Sequence, residues 1–296
     1  MTQSPAPNCD KTSCGTCGSR ETCAGIPAPP PPPDTVPEDQ KLRHRLGKIR
    51  RKIMVMSGKG GVGKSTVAAN LAVHLMLAGQ RTGLLDVDIH GPSIPGMLRL
   101  EKARVIGDGD SLLPLEYSDL KVMSIGFLLQ NADDAVIWRG PMKMTVIRQF
   151  LQDVAWGDLD CLVVDLPPGT GDEPLSVCQL AAPVDGAVIV TTPQQVSTAD
   201  VRRSIRFCQK LDIPVLGVVE NMSGFVCPKC GEISHIFKTG GGEKMAAEMK
   251  VPFFGRVPLD PRIGLASDDG VPFICNHPSA ESLHTFNRIA ETIQSL

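Results

Sequence analysis

No apolar run in these 296 residues approaches the roughly 18 needed to cross a bilayer, so the sequence offers no transmembrane helix. The N-terminus also lacks the apolar core of a secretory signal, which points to a cytoplasmic protein. Neither sign of charge dominates. Thirty Lys and Arg against 32 Asp and Glu leave −2, which gives no overall pull towards nucleic acid or an anionic membrane. There is no internal repeat. What remains is an ordinary globular composition, 42% apolar and 21% charged, in a chain long enough to bury a substantial core as one large domain or two small ones.

Cysteine is what the chain has in excess. In a reducing compartment ten cysteines are better explained by metal ligation than by disulfides. Six fall in two tight groups: Cys9, Cys14, Cys17 and Cys23, then Cys227 and Cys230. Cys161, Cys178, Cys208 and Cys275 are scattered through apolar or helical stretches and read as small packing residues.

Residues 1–36 read as a module of their own. They hold the four N-terminal cysteines and few large apolar side chains, then 27-PAPPPPP-33, a semi-rigid extended spacer. The stretch 41-KLRHRLGKIRRK-52 has seven Lys and Arg in twelve positions. It reads as a solvated helix leading into the first strand, with a patch for an acidic partner as the alternative. Beyond it apolar runs at 53–57, 82–88, 121–126, 160–166, 186–192, 215–221 and 253–258 read as strands. Helical periodicity falls at about 64–78, 142–154, 198–211, 241–249 and 279–294. Such an alternation predicts a three-layer α/β fold over 37–296, with a mostly parallel sheet and ligands at the carboxyl ends of its strands.

The segment 57-SGKGGVGKSTVAANLA-72 contains G-x-x-x-x-G-K-[ST] between a strand and a helix, the context a phosphate-binding loop requires. The backbone of Gly58, Lys59, Gly60, Gly61, Val62, Gly63, Lys64, Ser65 and Thr66 is expected to wrap the phosphates of ATP, helped by the helix N-terminus. Lys64 is expected to reach the β- and γ-phosphates, and the Ser65 hydroxyl to ligate Mg²⁺. Asp165, ending the apolar run of 161-CLVVDLPPGTGD-172, is the acid expected to hold the Mg²⁺ shell. In 86-DVDIHGPS-93, Asp88 is the candidate to orient or deprotonate the attacking water, Asp86 reads as structural, and His90 as a turn residue or a supporting one. Lys59 is one lysine more than such a loop needs.

Cys227-Pro-Lys-Cys230-Gly is a thiolate knuckle, half of a four-thiolate site, and no second C-x-x-C follows it. Two knuckles could meet across a dimer around one [4Fe–4S] cluster, or His235 with a further ligand, or the N-terminal thiols, could complete a zinc site. The N-terminal C-x₄-C-x₂-C-x₅-C could close around a cluster within one chain, with structural zinc or a redox dithiol as rivals.

Taken together, GKGGVGKST, DVDIHGPSIP, DLPPGTGD and CPKCG resemble the Mrp/ApbC family of ATP-binding iron–sulfur cluster carriers, over about residues 50–296. The N-terminus is similar to that of the eukaryotic cytosolic cluster-scaffold ATPases, although only four residues separate Cys9 from Cys14 where that group has a longer gap. The resemblance implies a homodimeric ATPase that passes clusters to apoprotein acceptors, with a [4Fe–4S] cluster bridged by Cys227 and Cys230 of both protomers. It implies that Lys59 reaches the phosphates held by the partner, and that Asn221, Pro258 and Asp260 lie against the adenine. It names no cluster donor. A septum-site or partitioning ATPase with structural zinc is the main rival, but 284-HTFNRIAETIQSL-296 lacks the basic amphipathic character of a membrane-targeting tail.

Overall fold

The computed structural model describes residues 38–89, 91–128, 140–227, 229–276 and 279–296. The Cys-rich segment 1–36 and His90 therefore lie outside the described residues.

In chain order the strands are β1 (Lys52–Ser57), β2 (Thr82–Asp86), β3 (Ile106–Asp108), β4 (Ser111–Leu113), β5 (Leu115–Tyr117), β6 (Leu120–Ser124), β7 (Cys161–Asp165), β8 (Gly186–Thr191), β9 (Val215–Val226), β10 (Ile233–Ser234) and β11 (Phe253–Leu259). The helices are α1 (Glu38–Gly47), α2 (Lys64–Leu77), α3 (Ile94–Met97), α4 (Gly140–Gln152), α5 (Asp172–Leu180), α6 (Gln195–Lys210), α7 (Gly241–Met249), α8 (Pro261–Asp268), α9 (Phe273–Asn276) and α10 (Ala280–Gln294).

Nine strands form one sheet in the order β10-β9-β8-β1-β7-β2-β6-β5, with β11 also paired to β9. The pairs from β6 through β2, β7, β1 and β8 to β9 and β11 are parallel, while β5 and β10 are antiparallel additions at the two sides. Every residue of β1, β2, β7 and β8 is buried, which is why these segments read as unbroken Val, Ile, Leu and Met runs rather than as alternating ones. The core covers both faces of the sheet. It is anchored by the fully buried Trp156 and Phe150, and the Trp156 indole N–H donates to the Phe150 carbonyl at 3.0 Å.

The basic segment 41–52 is, as expected, a helix leading into β1, with Arg43, His44, Lys48 and Arg50 exposed. Helix α1 stops at Gly47, Leu42, Leu46 and Ile49 join the core, and Arg51 and Lys52 are each 6% exposed. Lys41 pairs with Asp153 at 2.8 Å, and the Arg51 guanidinium donates to the Gln294 carbonyl at 2.8 Å. Three strands depart from the expected bounds, and the first of them, β2, stops at Asp86 rather than at 88. The run 121–126 ends as a 3₁₀ turn at Ile125–Leu128, and β9 continues past Asn221 to Val226 through Met222 and Gly224, both at positive φ. No described helix is long and apolar enough to cross a membrane.

Candidate functional site: a phosphate loop and a two-thiolate knuckle

The phosphate loop leaves the carboxyl end of β1 and runs into α2, between the ends of β7 and β8. Two of its glycines are dictated by geometry. Gly58 packs so closely on α6 that a Cβ there would stand 2.4 Å from the Asp200 carbonyl carbon. Gly63 has φ +79°, a left-handed conformation that costs glycine nothing, and a Cβ there would meet the Asn221 amide at 2.2 Å. A cleft of about 230 Å³ lies over the loop, lined among others by Lys59, Gly61, Lys64, Ser65, Asp88 and Pro168. A larger cavity of about 530 Å³ beside α1 and α4 is lined by Leu42, Leu46, Arg43 and Arg148 and has no comparable convergence of loop amides and acids.

Lys64, 6% exposed, is held at the centre of the site. Its ammonium stands 2.6 Å from Asp165 Oδ1, 3.6 Å from Asp88 Oδ2 and 3.2 Å from Ser65 Oγ. Asp165 is fully buried at the end of β7, and its Oδ2 has no hydrogen-bond partner among the described residues. Burial pushes its carboxyl above the usual range while Lys64 opposes that shift. A buried carboxylate oxygen left open beside a lysine and a serine hydroxyl suits the hydration shell of a divalent cation, so these residues fit Mg²⁺.

Asp86 and Asp165 are register partners on neighbouring strands, but Asp86 has both oxygens engaged. The Asp88 amide donates to Oδ1 at 3.0 Å and the Ser124 hydroxyl to Oδ2 at 2.9 Å. Burial first, and the neighbouring Asp165 next, push the Asp86 carboxyl up to about 7 from 3.8. Since the folded value lies above the unfolded one, the native state holds a proton that the unfolded chain has already released between those pH values. The stabilisation is complete below about pH 4 and is lost as pH rises towards 7. Asp86→Asn is therefore expected to gain stability on wild type as pH rises from about 4 to about 7, read from urea midpoints across that range. A pH-independent difference would mean that Asp86 is ionised throughout.

Lys59 is half-buried at the mouth of the cleft and makes no ion pair among the described residues; its carbonyl accepts from the Ser57 hydroxyl at 2.9 Å. The loop after Asp165 is tied back to β1, with the Gly169 amide donating to the Ser57 carbonyl at 2.9 Å. Asn221 braces the phosphate loop from below: its side-chain amide donates to the Val62 carbonyl at 2.9 Å. Pro258 is buried in β11, and Asp260 caps α8, accepting from the Arg262 amide at 2.9 Å.

Cys227 and Cys230 follow the end of β9 on a tight turn. The Gly231 amide donates to the Cys227 carbonyl and the Cys227 amide to the Glu232 carbonyl, both at 2.9 Å, with Gly231 at φ +75°. Cys230 is exposed. The amides of Cys230 and then Lys229, followed by the Cys230 thiol, donate towards Cys227 and hold its thiol below the ordinary range. Among the described residues no three His, Cys, Asp or Glu converge as a metal-binding set, so His235 does not extend the pair. The contrast with the core is sharp: burial pushes the thiols of Cys161, Cys178 and Cys208 up to about 12.

One residue at the centre of this region escaped the sequence reading. Glu220, adjacent to Asn221, is a fully buried carboxylate in β9. Its signal was a charge inside an otherwise apolar strand, 215-VLGVVEN-221.

A parallel sheet carrying this loop, its lysine and two strand-end acids defines a P-loop NTPase. The chain belongs to the ParA-group family described as NUBPL iron-transfer P-loop NTPase, whose family model matches residues 48–294. It is 48% identical over 289 residues to the iron-sulfur cluster carrier protein of Methanocaldococcus jannaschii, covering 95% of this chain and 96% of that protein. The solved structure of a nucleotide-binding protein in complex with ADP from Archaeoglobus fulgidus is 44% identical, with a TM-score of 0.71 over 82% of this chain and 98% of that one. The cell division ATPase MinD of Pyrococcus furiosus shares the fold at 23% identity, with a TM-score of 0.61 over 83% of this chain and 99% of that one.

Proposed function

We propose that this protein is a cytoplasmic, homodimeric ATPase that carries [4Fe–4S] clusters and delivers them to apoprotein acceptors. The observation that carries the reading is the pairing of a phosphate site with an incomplete thiolate site. Cys227 and Cys230 supply two ligands, and no third is at hand among the described residues. An isologous dimer presents the same patch twice, which makes four thiolates, the ligand set a [4Fe–4S] cargo takes. The relatives support the same reading, one being a named cluster carrier and another a structure with ADP. A partitioning-type ATPase with a structural zinc would use the same four thiolates across the dimer; the named cluster carrier among the relatives favours the cluster.

At the nucleotide, the loop amides and Lys64 hold the phosphates, and Asp88 orients the attacking water. Ser65 and the open oxygen of Asp165 would hold Mg²⁺, whose charge offsets that of the phosphates. Lys59, without an ion pair among the described residues, is assigned by this reading to the partner's phosphates. Asn221, Pro258 and Asp260 are assigned to the adenine side, Asn221 also holding the loop. The cysteines at 9, 14, 17 and 23 are assigned a second cluster on an independent module over residues 1–36.

The test is anaerobic reconstitution with iron and sulfide, on the full chain and on a chain lacking residues 1–36. The shortened protein is expected to keep ATP hydrolysis and to bind about four irons per dimer, and the full chain about four more per protomer. Both are expected to activate an apoprotein that needs a [4Fe–4S] cluster. One tightly held zinc per monomer in the shortened protein, with no iron transfer, would refute the carrier reading.

A further inference from the structure

Strand β9 serves the two halves of the site with consecutive residues. Asn221 braces the phosphate loop through Val62, as described above. Glu220, on the opposite face of the strand, holds the base of the segment that carries the cysteines. Its Oε1 accepts from the Ser223 hydroxyl at 2.6 Å and from the Gly240 amide at 2.9 Å, and its Oε2 accepts from the Gly242 amide. Ser223 stands where the chain leaves for Cys227, and Gly240 and Gly242 stand where it returns into α7. The Ser223 and Thr239 hydroxyls are 3.2 Å apart, closing the same neck. Arg256, the register partner of Glu220 on β11, brings Nε to 3.5 Å of Oε1, an ion pair too long for a good hydrogen bond, and pairs with Glu243 in the first turn of α7.

A buried carboxylate is expensive in a sheet unless its oxygens are satisfied, and an apolar side chain would fill the space at less cost. What the carboxylate supplies is a fixed geometry. Two backbone amides and one hydroxyl, from both arms of one excursion, converge on a single group that cannot give them up without leaving a buried charge bare. The neck of the cysteine segment therefore moves with β9, and β9 is the strand whose next residue holds the phosphate loop.

The geometry points to Glu220 as the positioning residue that couples the state of the phosphate loop to the Cys227–Cys230 pair. The inference deepens the carrier reading and rests on it for its purpose. The link itself is read without iron, so the two can fail separately. The experiment uses metal-free full-length protein and measures alkylation of Cys227 and Cys230 by iodoacetamide, resolved by peptide mass spectrometry. Rates are compared without nucleotide, with ADP and with a non-hydrolysable ATP analogue. Wild type is expected to show a change of about threefold or more between the empty and ATP-analogue states, in the range of couplings carried by packed networks. Glu220→Gln keeps the shape and loses the charge; it is expected to abolish that difference while nucleotide affinity and the Cys275 rate stay within about twofold. Ser223→Ala removes one of the three hydrogen bonds and serves if Glu220→Gln does not fold; it is expected to reduce the difference by about half or more. A folded Glu220→Gln protein with the full nucleotide dependence overturns the inference, and so does wild type with equal rates in all states. Failure to bind iron with the nucleotide dependence intact would count against the carrier reading and in favour of this link.

Discussion

Lys59→Ala is expected to bind nucleotide within a few-fold of wild type and to lose ATP turnover by about 10³-fold or more, the scale of a cation supplied in trans to a phosphoryl transfer. Lys64 already serves the loop's own phosphates: it is buried, and its ammonium is shared among Asp165, Asp88 and Ser65. Lys59 lies five residues before it, half-buried in the cleft lining with no ion pair among the described residues, so removing it should cost little ground-state binding. Crossing is tested by complementation. In a mixed dimer of Lys59→Ala and Lys64→Ala, the first protomer keeps its own Lys64 and receives its partner's intact Lys59. One complete site forms per mixed dimer, so an equal mixture is expected to recover about a quarter of wild-type turnover from two nearly inactive proteins. Turnover of Lys59→Ala equal to wild type, or no recovery on mixing, would remove the lysine from the partner's site.

Cys227→Ser and Cys230→Ser are each expected to abolish the shared cluster while leaving ATP binding intact. Each replacement removes two of four thiolates from a symmetric site, because a single change appears in both protomers. Serine is nearly isosteric but a poor ligand for iron, so the loss reports ligation rather than packing. In protein lacking residues 1–36, iron is expected to fall from about four per dimer to none, with the cluster-dependent part of dimerisation lost too. Iron retained at the wild-type level in either variant would place the cluster elsewhere.

The parallel core was legible because burial on both faces turns a strand into an unbroken apolar word: KIMVMS, CLVVD and GAVIVT are each buried throughout. The phosphate loop was legible because its glycines answer to local sterics, a left-handed φ at Gly63 and a close approach to α6 at Gly58. The continuation of β9 to Val226 was not. Met222 and Gly224 break the strand's dihedrals, and pairing with β10 and β11, not local preference, carries the strand through. Helix α5 was hidden for a related reason: it starts immediately after the Pro- and Gly-rich run 167-PPGTG-171, which punctuates the sequence as loop. Glu220 was visible as an oddity and no more, since the amides that satisfy it lie twenty residues downstream and meet it only in the fold.

The buried thiols carry a consequence for how sulfur is sorted in this chain. Moving Cys161, Cys178 and Cys208 from 9.0 to about 12 lowers their thiolate fraction at neutral pH by about a thousandfold. Iron and oxidants both react with the ionised form, so they meet a protein whose sulfur inventory is far smaller than its cysteine count. Acidity, not scarcity, keeps the cargo chemistry at the surface. A cysteine-rich chain can then be loaded with iron without its own interior competing as a sink.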